Sequence, residues 1–259
     1  MKLQGNTILL TGGSAGIGLA LAKEFLALGN KVIITGRNAD KLEAARKATP
    51  ELETFQCDAA DPDAVNALAA HVDQHYPDVN VLVNNAGVFI PRNHTVRTDD
   101  LVALTSELDI NVAGPIRTVS VLIDRLKANR GTIINVSSGL AFVPIQLSPI
   151  YCATKAALHS YTITLRHQLK DQGVEVVELM PPAVQTDLTA DLPDDGDFKI
   201  ITTEQLITET FKGLRAGREE IRPGQANQLY WMSRIAPGFI NAQMEKGSKA
   251  LVPAPVKGG

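Results

Sequence analysis

The segment SPIYCATKAAL (Ser148–Leu158) sets Tyr151 and Lys155 four positions apart where a helix is expected to begin. On a helix, residues i and i+4 share one face. A free phenol titrates near 10 and is a poor base at neutral pH. A neighbouring ammonium, together with the positive charge of an oxidised nicotinamide, favours the phenolate and lowers that value. A phenol tuned in this way can give a proton to a developing alkoxide, or take one from an alcohol, while hydride moves to or from a cofactor. Ser138 closes an earlier strand-like run, and its hydroxyl can steady the substrate oxygen and the charge that grows on it. As a bare pattern, Tyr-x-x-x-Lys is usually a pair of surface side chains. A glycine loop and a strand-end serine in the same chain favour the catalytic reading.

That loop is ILLTGGSAGIGLALAKEFL, in which Gly12, Gly16 and Gly18 follow a first strand and open a first helix. Glycines there permit a tight turn and let the backbone approach a pyrophosphate seated on the helix N-terminus. The spacing G-x-x-x-G-x-G differs from the G-x-G-x-x-G fingerprint. At the end of the second strand, IITGRN has no carboxylate to hold a ribose 2′-hydroxyl, and Arg37 stands beside the gap. A guanidinium suits a 2′-phosphate, so NADP is the expected cofactor, with NAD the alternative. Ala15 leaves no second basic contact before Gly16. Asp58, after the third strand, is either an acceptor for an adenine amino group or a turn residue leading to Asp61-Pro62. Asn111 precedes Pro115 by four residues. Proline has no N–H, so a helix there loses a donor to the Asn111 carbonyl and is expected to kink.

These motifs resemble the short-chain dehydrogenases/reductases over nearly all of Thr7–Thr186. The resemblance rests on TGGSAGIG (Thr11–Gly18), NNAG (Asn84–Gly87), Asn111, NVSS (Asn135–Ser138) and YCATK (Tyr151–Lys155). NVSSGLAFVP and YCATKAALHSYT are similar to the DltE-like oxidoreductase branch. The resemblance implies a catalytic tetrad of Asn111, Ser138, Tyr151 and Lys155. Tyr151 would be the acid/base, Lys155 would lower its pKa and hold the nicotinamide ribose, and Asn111 would support a water-mediated proton path. It further implies a cofactor site of Gly12, Ser14, Gly16, Ile17, Gly18, Arg37, Asn38, Asp58, Asn85, Ala86, Gly87, Tyr151, Lys155, Val184 and Thr186. Asn84 is expected to tie strands together. The family's Pro-Gly-x-Val-x-Thr stands here as PPAVQT, with Pro182 in place of glycine. A homodimer or homotetramer, through helices near Leu101–Leu126 and Tyr151–Lys170, is implied as well.

The elements that must position these groups are legible as alternating patterns. TILLT (Thr7–Thr11), KVIIT (Lys31–Thr35), VNVLVN (Val79–Asn84), GTIINVSS (Gly131–Ser138) and VEVVELM (Val174–Met180) are short, β-branched and nearly continuous. Such runs are expected of strands buried on both faces. ETFQCD (Glu53–Asp58) is a weaker strand. Helix-length segments Gly16–Leu28, Ala39–Ala48, Pro62–Gln74 and Tyr151–Gln172 lie between them, and Thr203–Arg215 precedes an edge strand near Glu219–Arg222. The β-α-β-α order predicts an α/β fold: one Rossmann-type, doubly wound parallel sheet of about seven strands with helices on both faces. The expected domain runs over 1–224, with a lid at 187–203. An amphipathic extension over 225–259 has a mobile end.

Composition agrees with such a domain. The chain has 259 residues, 44% of them apolar and 20% charged, with a net charge of −3. That charge argues against a nucleic-acid partner. No run of about 18 apolar residues predicts stable membrane insertion. The opening MKLQGNTILLTGG reads as a buried strand, not a signal peptide. Two cysteines, Cys57 and Cys152, suggest a reduced, cytoplasmic protein. His71 and His75 share a helix face without a third ligand, so no metal site is expected; His94, His159 and His167 fit no pattern. Cys152 reads as an inert spacer, and Trp231 and Met232 as pocket or interface packing.

The expected activity is hydride transfer between a nicotinamide and a small carbonyl or alcohol: a 3-oxoacyl thioester, a steroid-like ketone, a sugar or a small carbonyl. The acidic run DLPDDGD in the lid disfavours an anionic substrate. A dinucleotide-sensing protein without chemistry is the alternative, but it would have little use for Ser138, Tyr151 and Lys155 together. A membrane-surface helix at Tyr230–Lys246 is a further alternative, separable by liposome co-sedimentation.

Overall fold

The computed structural model describes residues 1–97, 100–189, 200–249 and 251–252. Seven parallel strands form one sheet in the order β3-β2-β1-β4-β5-β6-β7. They are β1 (Thr7–Thr11), β2 (Lys31–Gly36), β3 (Glu53–Gln56), β4 (Val79–Asn84), β5 (Thr132–Val136), β6 (Glu175–Leu179) and β7 (Glu220–Ile221). Helices α1 (Gly16–Ala27), α2 (Ala39–Ala48), α3 (Pro62–His75), α4 (Leu101–Leu108), α5 (Gly114–Ala128), α6 (Pro149–Leu169) and α7 (Thr203–Arg215) connect them. Two further helices follow, α8 (Gln225–Ile235) and α9 (Pro237–Lys249).

The continuous apolar strands are explained by the two cores they serve. Successive side chains of a strand point to opposite faces. Ile8 and Leu10 of β1 therefore join Phe25 of α1 and Phe211 of α7 in one cluster. Leu9, between them, joins Leu68 of α3, Leu122 of α5 and Leu165 of α6 in the other. A third cluster sets Leu229 of α8 and Ile240 and Met244 of α9 against Val143, Ile145, Leu147 and Cys152. This last core lies beside the helix that carries Tyr151.

The order reverses between β1, which pairs β2 on one side, and β4 on the other. At such a switch point the strand ends splay and leave a crevice. Helix ends are placed by local chemistry. The Asn38 side chain caps α2 by accepting from Lys41 N, and Asp61 caps α3 with Pro62 in its first turn. Thr202 and Gln205 form a reciprocal capping box on α7.

Several boundaries differ from the expectation. Helix α6 begins at Pro149, two residues before Tyr151, because proline suits the first helical turn. It ends at Leu169, and a 3-10 turn covers Lys170–Gln172. Strands β5 and β6 stop short of Ser138 and Met180, where the chain leaves the ladder toward the crevice. Between α4 and α5 the expected kink at Pro115 is a wide π-helical turn, Asp109–Ala113, in which Gly114 N–H bonds to the Asp109 carbonyl. The lid expected at 187–203 falls largely on 190–199, outside the described residues, as does the tail 253–259.

Candidate active site

A cleft of about 480 Å³ opens at the C-terminal ends of the strands. Its wall includes Gly12, Ser14, Gly16, Ile17, Gly18, Arg37, Asn38, Asp58, Asn85, Ala86, Gly87, Ser138, Tyr151, Lys155, Val184 and Thr186. Every cofactor residue inferred from the sequence thus borders one space, with Ser138. Asn111 stands just behind this wall, fully buried.

The glycine loop is built by contacts that exclude a side chain. Gly12 has φ of 67°, and a Cβ on Gly18 would stand 2.2 Å from the Gly12 carbonyl oxygen. Asn85 donates from Nδ2 to the carbonyls of Thr11 and Gly12, at 3.1 and 3.0 Å. Its side chain therefore fixes the loop, and what borders the cleft is held by the strand below. Asn84 bonds to Asn135 at 2.9 Å and accepts from Thr118 at 2.7 Å. It ties β4, β5 and α5 together.

At one end of the cleft, Arg37 is exposed at the rim and Lys41 lies in the first turn of α2. Two cations thus flank a helix N-terminus, where an anion is favoured. Lys41 was not singled out from the sequence; its signal is the N-cap at Asn38, which places Lys41 in the first turn. Asn38 uses its side chain for that cap at 2.9 Å. Asp58 accepts from Ala60 N at 2.9 Å, the turn role, while also bordering the cleft.

At the other end of the cleft Ser138, Tyr151 and Lys155 come together. The Ser138 side chain lies beside the Tyr151 phenol, and its Oγ accepts from Leu140 N at 3.1 Å. Lys155 Nζ lies 5.5 Å from the Tyr151 ring centre and donates to the Val136 carbonyl at 2.9 Å. Burial pushes the Tyr151 phenol above its ordinary range, and the Ser138 side chain opposes that rise. The expected depression by Lys155 is not a property of the protein groups alone. Lys155 is itself lowered, to about 8, by burial, with the charge of Glu178 working the other way.

Asn111 directs its side chain to the backbone. Its Oδ1 accepts from Val88 N and its Nδ2 donates to Val88 O, each at 2.9 Å, and Nδ2 reaches Thr154 Oγ1 at 3.1 Å. Pro115 offers no N–H to the Asn111 carbonyl. A π turn of this kind is common at functional sites. Pro182 borders the cleft without a cis bond, and the Pro181 carbonyl accepts from Gly139 N at 3.0 Å.

Two buried carboxylates near the site gave no signal in the sequence. Glu107 is fully buried; its Oε1 accepts from Ile90 N at 3.1 Å, and its Oε2 has no partner among the described residues. Burial raises its pKa, opposed by the Ile90 N–H and by Arg92. Glu178 is likewise fully buried and contacts His159, a residue that fitted no pattern. Cys152 is buried and its thiol is pushed up, first by burial. His71 stacks on Phe55 and lies tilted against His75, and no group of three or more metal-ligating side chains occurs among the described residues. No described helix is long and apolar enough to cross a membrane.

The family profile described as short chain dehydrogenase matches residues 6–197. An uncharacterized oxidoreductase, DltE, of Bacillus subtilis is 43% identical over 85% of this chain and 89% of its own length. The NADPH-dependent 1-acyldihydroxyacetone phosphate reductase of Schizosaccharomyces pombe is 30% identical, covering 93% of this chain and 85% of its own. A Burkholderia cenocepacia short chain dehydrogenase solved with NADP superposes with a TM-score of 0.82 at 24% identity, over 94% of this chain and 99% of that one. The L-sorbose reductase of Gluconobacter frateurii, solved with NADPH and L-sorbose, gives 0.71 at 25% identity, over 80% and 89%. The chain belongs to the short-chain dehydrogenase family of oxidoreductases.

Proposed function

We propose that this chain is an NADP-dependent oxidoreductase acting on a secondary alcohol or carbonyl compound with an apolar body, with Tyr151 as the acid/base. The observation that carries this is the convergence of the Tyr151 phenol, the Ser138 hydroxyl and the Lys155 ammonium at one end of a glycine-walled cleft. The cleft suits a dinucleotide because its glycines leave room that a side chain would take. A Cβ on Gly87 would stand 3.5 Å from Lys155 Nζ, and one on Gly16 would stand 3.4 Å from Thr186. The paired cations Arg37 and Lys41, with no carboxylate at the end of β2, favour the 2′-phosphate of NADP over the free hydroxyl of NAD. Relatives of the same fold hold NADP or NADPH.

A bound nicotinamide supplies or accepts the hydride. The side chains handle the proton. Ser138 and Tyr151 hydrogen-bond to the substrate oxygen and stabilise the charge that develops on it. In reduction Tyr151 delivers its phenolic proton to that oxygen; in oxidation the phenolate takes it back. Lys155, cationic and one turn along α6, favours the phenolate and binds hydroxyls of the ribose. The substrate end is walled by Val88, Phe89, Leu140, Ile145, Leu229 and Met244. These apolar side chains favour an uncharged hydrocarbon body over a sugar or a phosphate ester.

Self-association belongs to the same reading. Leu101 and Val102 on α4 are 66% and 83% exposed, with Leu108 and Ile116 further along the same helical run. A second copy packing there would cover them, and light scattering that shows only monomer excludes it. The cofactor assignment is tested by following nicotinamide fluorescence during titration with NADPH and NADH. Tighter NADPH binding that Arg37→Ala or Lys41→Ala weakens about tenfold supports it. Equal or tighter NADH binding makes both cations bystanders.

A further inference from the structure

Glu178 is a carboxylate in the middle of a buried strand, VEVVEL, where its neighbours Val176, Val177 and Leu179 are core residues. Such a group is retained in a core only where it is hydrogen-bonded and faces positive charge. Its Oε1 accepts from Ser137 Oγ at 2.5 Å, and its Oε2 meets His159 Nδ1 at 2.8 Å. Both partners adjoin the catalytic groups. Ser137 lies between Val136, whose carbonyl holds Lys155 Nζ, and Ser138, which lies beside the Tyr151 phenol. His159 is one helical turn beyond Lys155. The carboxylate thus braces strand and helix at the points where Lys155 and Ser138 are attached.

We propose that Glu178, held by Ser137 and His159, is a positioning residue that keeps Lys155 in its charged form. The inference rests on the functional reading only in taking Lys155 as the working cation. The charged and titratable surroundings are few. Lys155, His159 and Arg166 face β6 from α6. Glu220 and Arg222 lie at β7, paired with each other at 2.5 Å, and Glu220 is also 3.9 Å from Arg166. Arg222 and Arg234 of α8 stack on Tyr230, and Phe142 stands edge-on to His159. On its own helix Lys155 has Tyr151 and Cys152 one turn before it and His159 one turn after, with its Nζ 5.5 Å from the Tyr151 ring centre. Of these, Glu178 is the charge that opposes the lowering of Lys155 by burial.

The test is direct titration of the Lys155 ammonium by heteronuclear NMR of lysine-labelled protein, its signal assigned by its loss in Lys155→Met. Glu178→Gln keeps the shape, an acceptor for Ser137 and a donor for His159, and removes the charge. The expected result is a Lys155 midpoint about one pH unit lower than in wild type. An unchanged or raised midpoint in folded Glu178→Gln overturns the proposal. Should that variant not fold, Glu178→Leu takes its place, and an unchanged or raised Lys155 midpoint there overturns the proposal equally. Neither measurement uses cofactor or substrate, so failure to bind NADPH would sink the enzymatic reading and leave this result standing.

Discussion

Glu107 and Asn111, four residues apart on the helical run that enters the π turn, hold alternate residues of one extended segment. Glu107 accepts from Ile90 N at 3.1 Å, and Asn111 takes both the N–H and the carbonyl of Val88 at 2.9 Å. The match is geometric. Four helical residues rise about 6 Å, and two extended residues span about 6.6 Å. Phe89, between the two gripped residues, stands edge-on to Tyr151 with ring centres 4.9 Å apart. The helix thereby sets part of the cleft wall and one side of the Tyr151 ring.

Asn111→Ala is therefore expected to act through the backbone as much as through chemistry. It strands the Val88 N–H and carbonyl in a partly buried place, while the Thr154 hydroxyl keeps its bond to the Tyr151 carbonyl. Each unmade bond costs about 1–3 kcal/mol, so the unfolding free energy should fall by about 2–4 kcal/mol. Asn111→Asp keeps the acceptor but turns an oxygen toward the Val88 carbonyl, and should be no better. Urea unfolding checks both. A stability loss below about 0.5 kcal/mol for either variant would show that the clamp is not structural.

Glu107→Gln separates the clamp from the charge, because glutamine keeps the oxygen that Ile90 uses. The folded-state pKa of Glu107 is raised above its unfolded value. The stability this group contributes is therefore present below the unfolded value, about 4.5, and is lost as pH rises through the folded one. The glutamine variant lacks that loss. Its stability relative to wild type should grow as pH rises from about 4.5 toward neutrality. Removing the charge also lowers the Tyr151 phenol, which Glu107 helps to raise. Parallel stability curves across pH 4–7 would contradict the assignment of buried charge to Glu107.

How much of this could be read in advance depends on how far each partner lies along the chain. The strands were legible because burial on both faces forces continuous β-branched runs such as KVIIT. The pairing of Tyr151 and Lys155 on one face of α6 was legible because it rests on local helical spacing. Glu178 was not, since Ser137 and His159 are 41 and 19 residues away and nothing in VEVVEL marks its glutamate as buried. Glu107 and Asn85 were obscured in the same way. Their side chains serve backbone groups of other segments, and backbone donors and acceptors leave no trace in composition. The π turn at Asp109–Ala113 is intermediate. Pro115 announced a break, but its form depends on Asn111, inside the turn, reaching Val88 more than twenty residues away.

The glycine loop offers a test of close approach alone. A Cβ on Gly18 would sit 2.2 Å from the Gly12 carbonyl oxygen, which is backbone and cannot swing aside. Gly18→Ala is expected to lose NADPH binding by more than tenfold and to lower stability by about 1–3 kcal/mol. Gly238→Ala, on α9 with nothing near its Cβ, is the control and should be neutral or stabilising by up to about 1 kcal/mol. Tight NADPH binding by Gly18→Ala would remove the loop from the cofactor site.

Lys155→Met carries the last prediction, and its sign follows from burial. The folded-state pKa of Lys155 is about 8, below the ordinary 10.5. At pH 7 both folded and unfolded chains hold the proton, and the fold bears the cost of a desolvated ammonium. Between about 8 and 10.5 the folded chain has released the proton while the unfolded chain keeps it, so the Lys155 contribution to stability rises with pH. Wild type should therefore be less stable than Lys155→Met at pH 7 and should recover against it by about 2–3 kcal/mol by pH 10.5. Denaturant midpoints of the two proteins at matched pH isolate this group from the others that titrate there. A stability difference that stays flat from pH 7 to 10.5 would mean that Lys155 keeps its proton in the fold throughout, and that burial does not govern its charge.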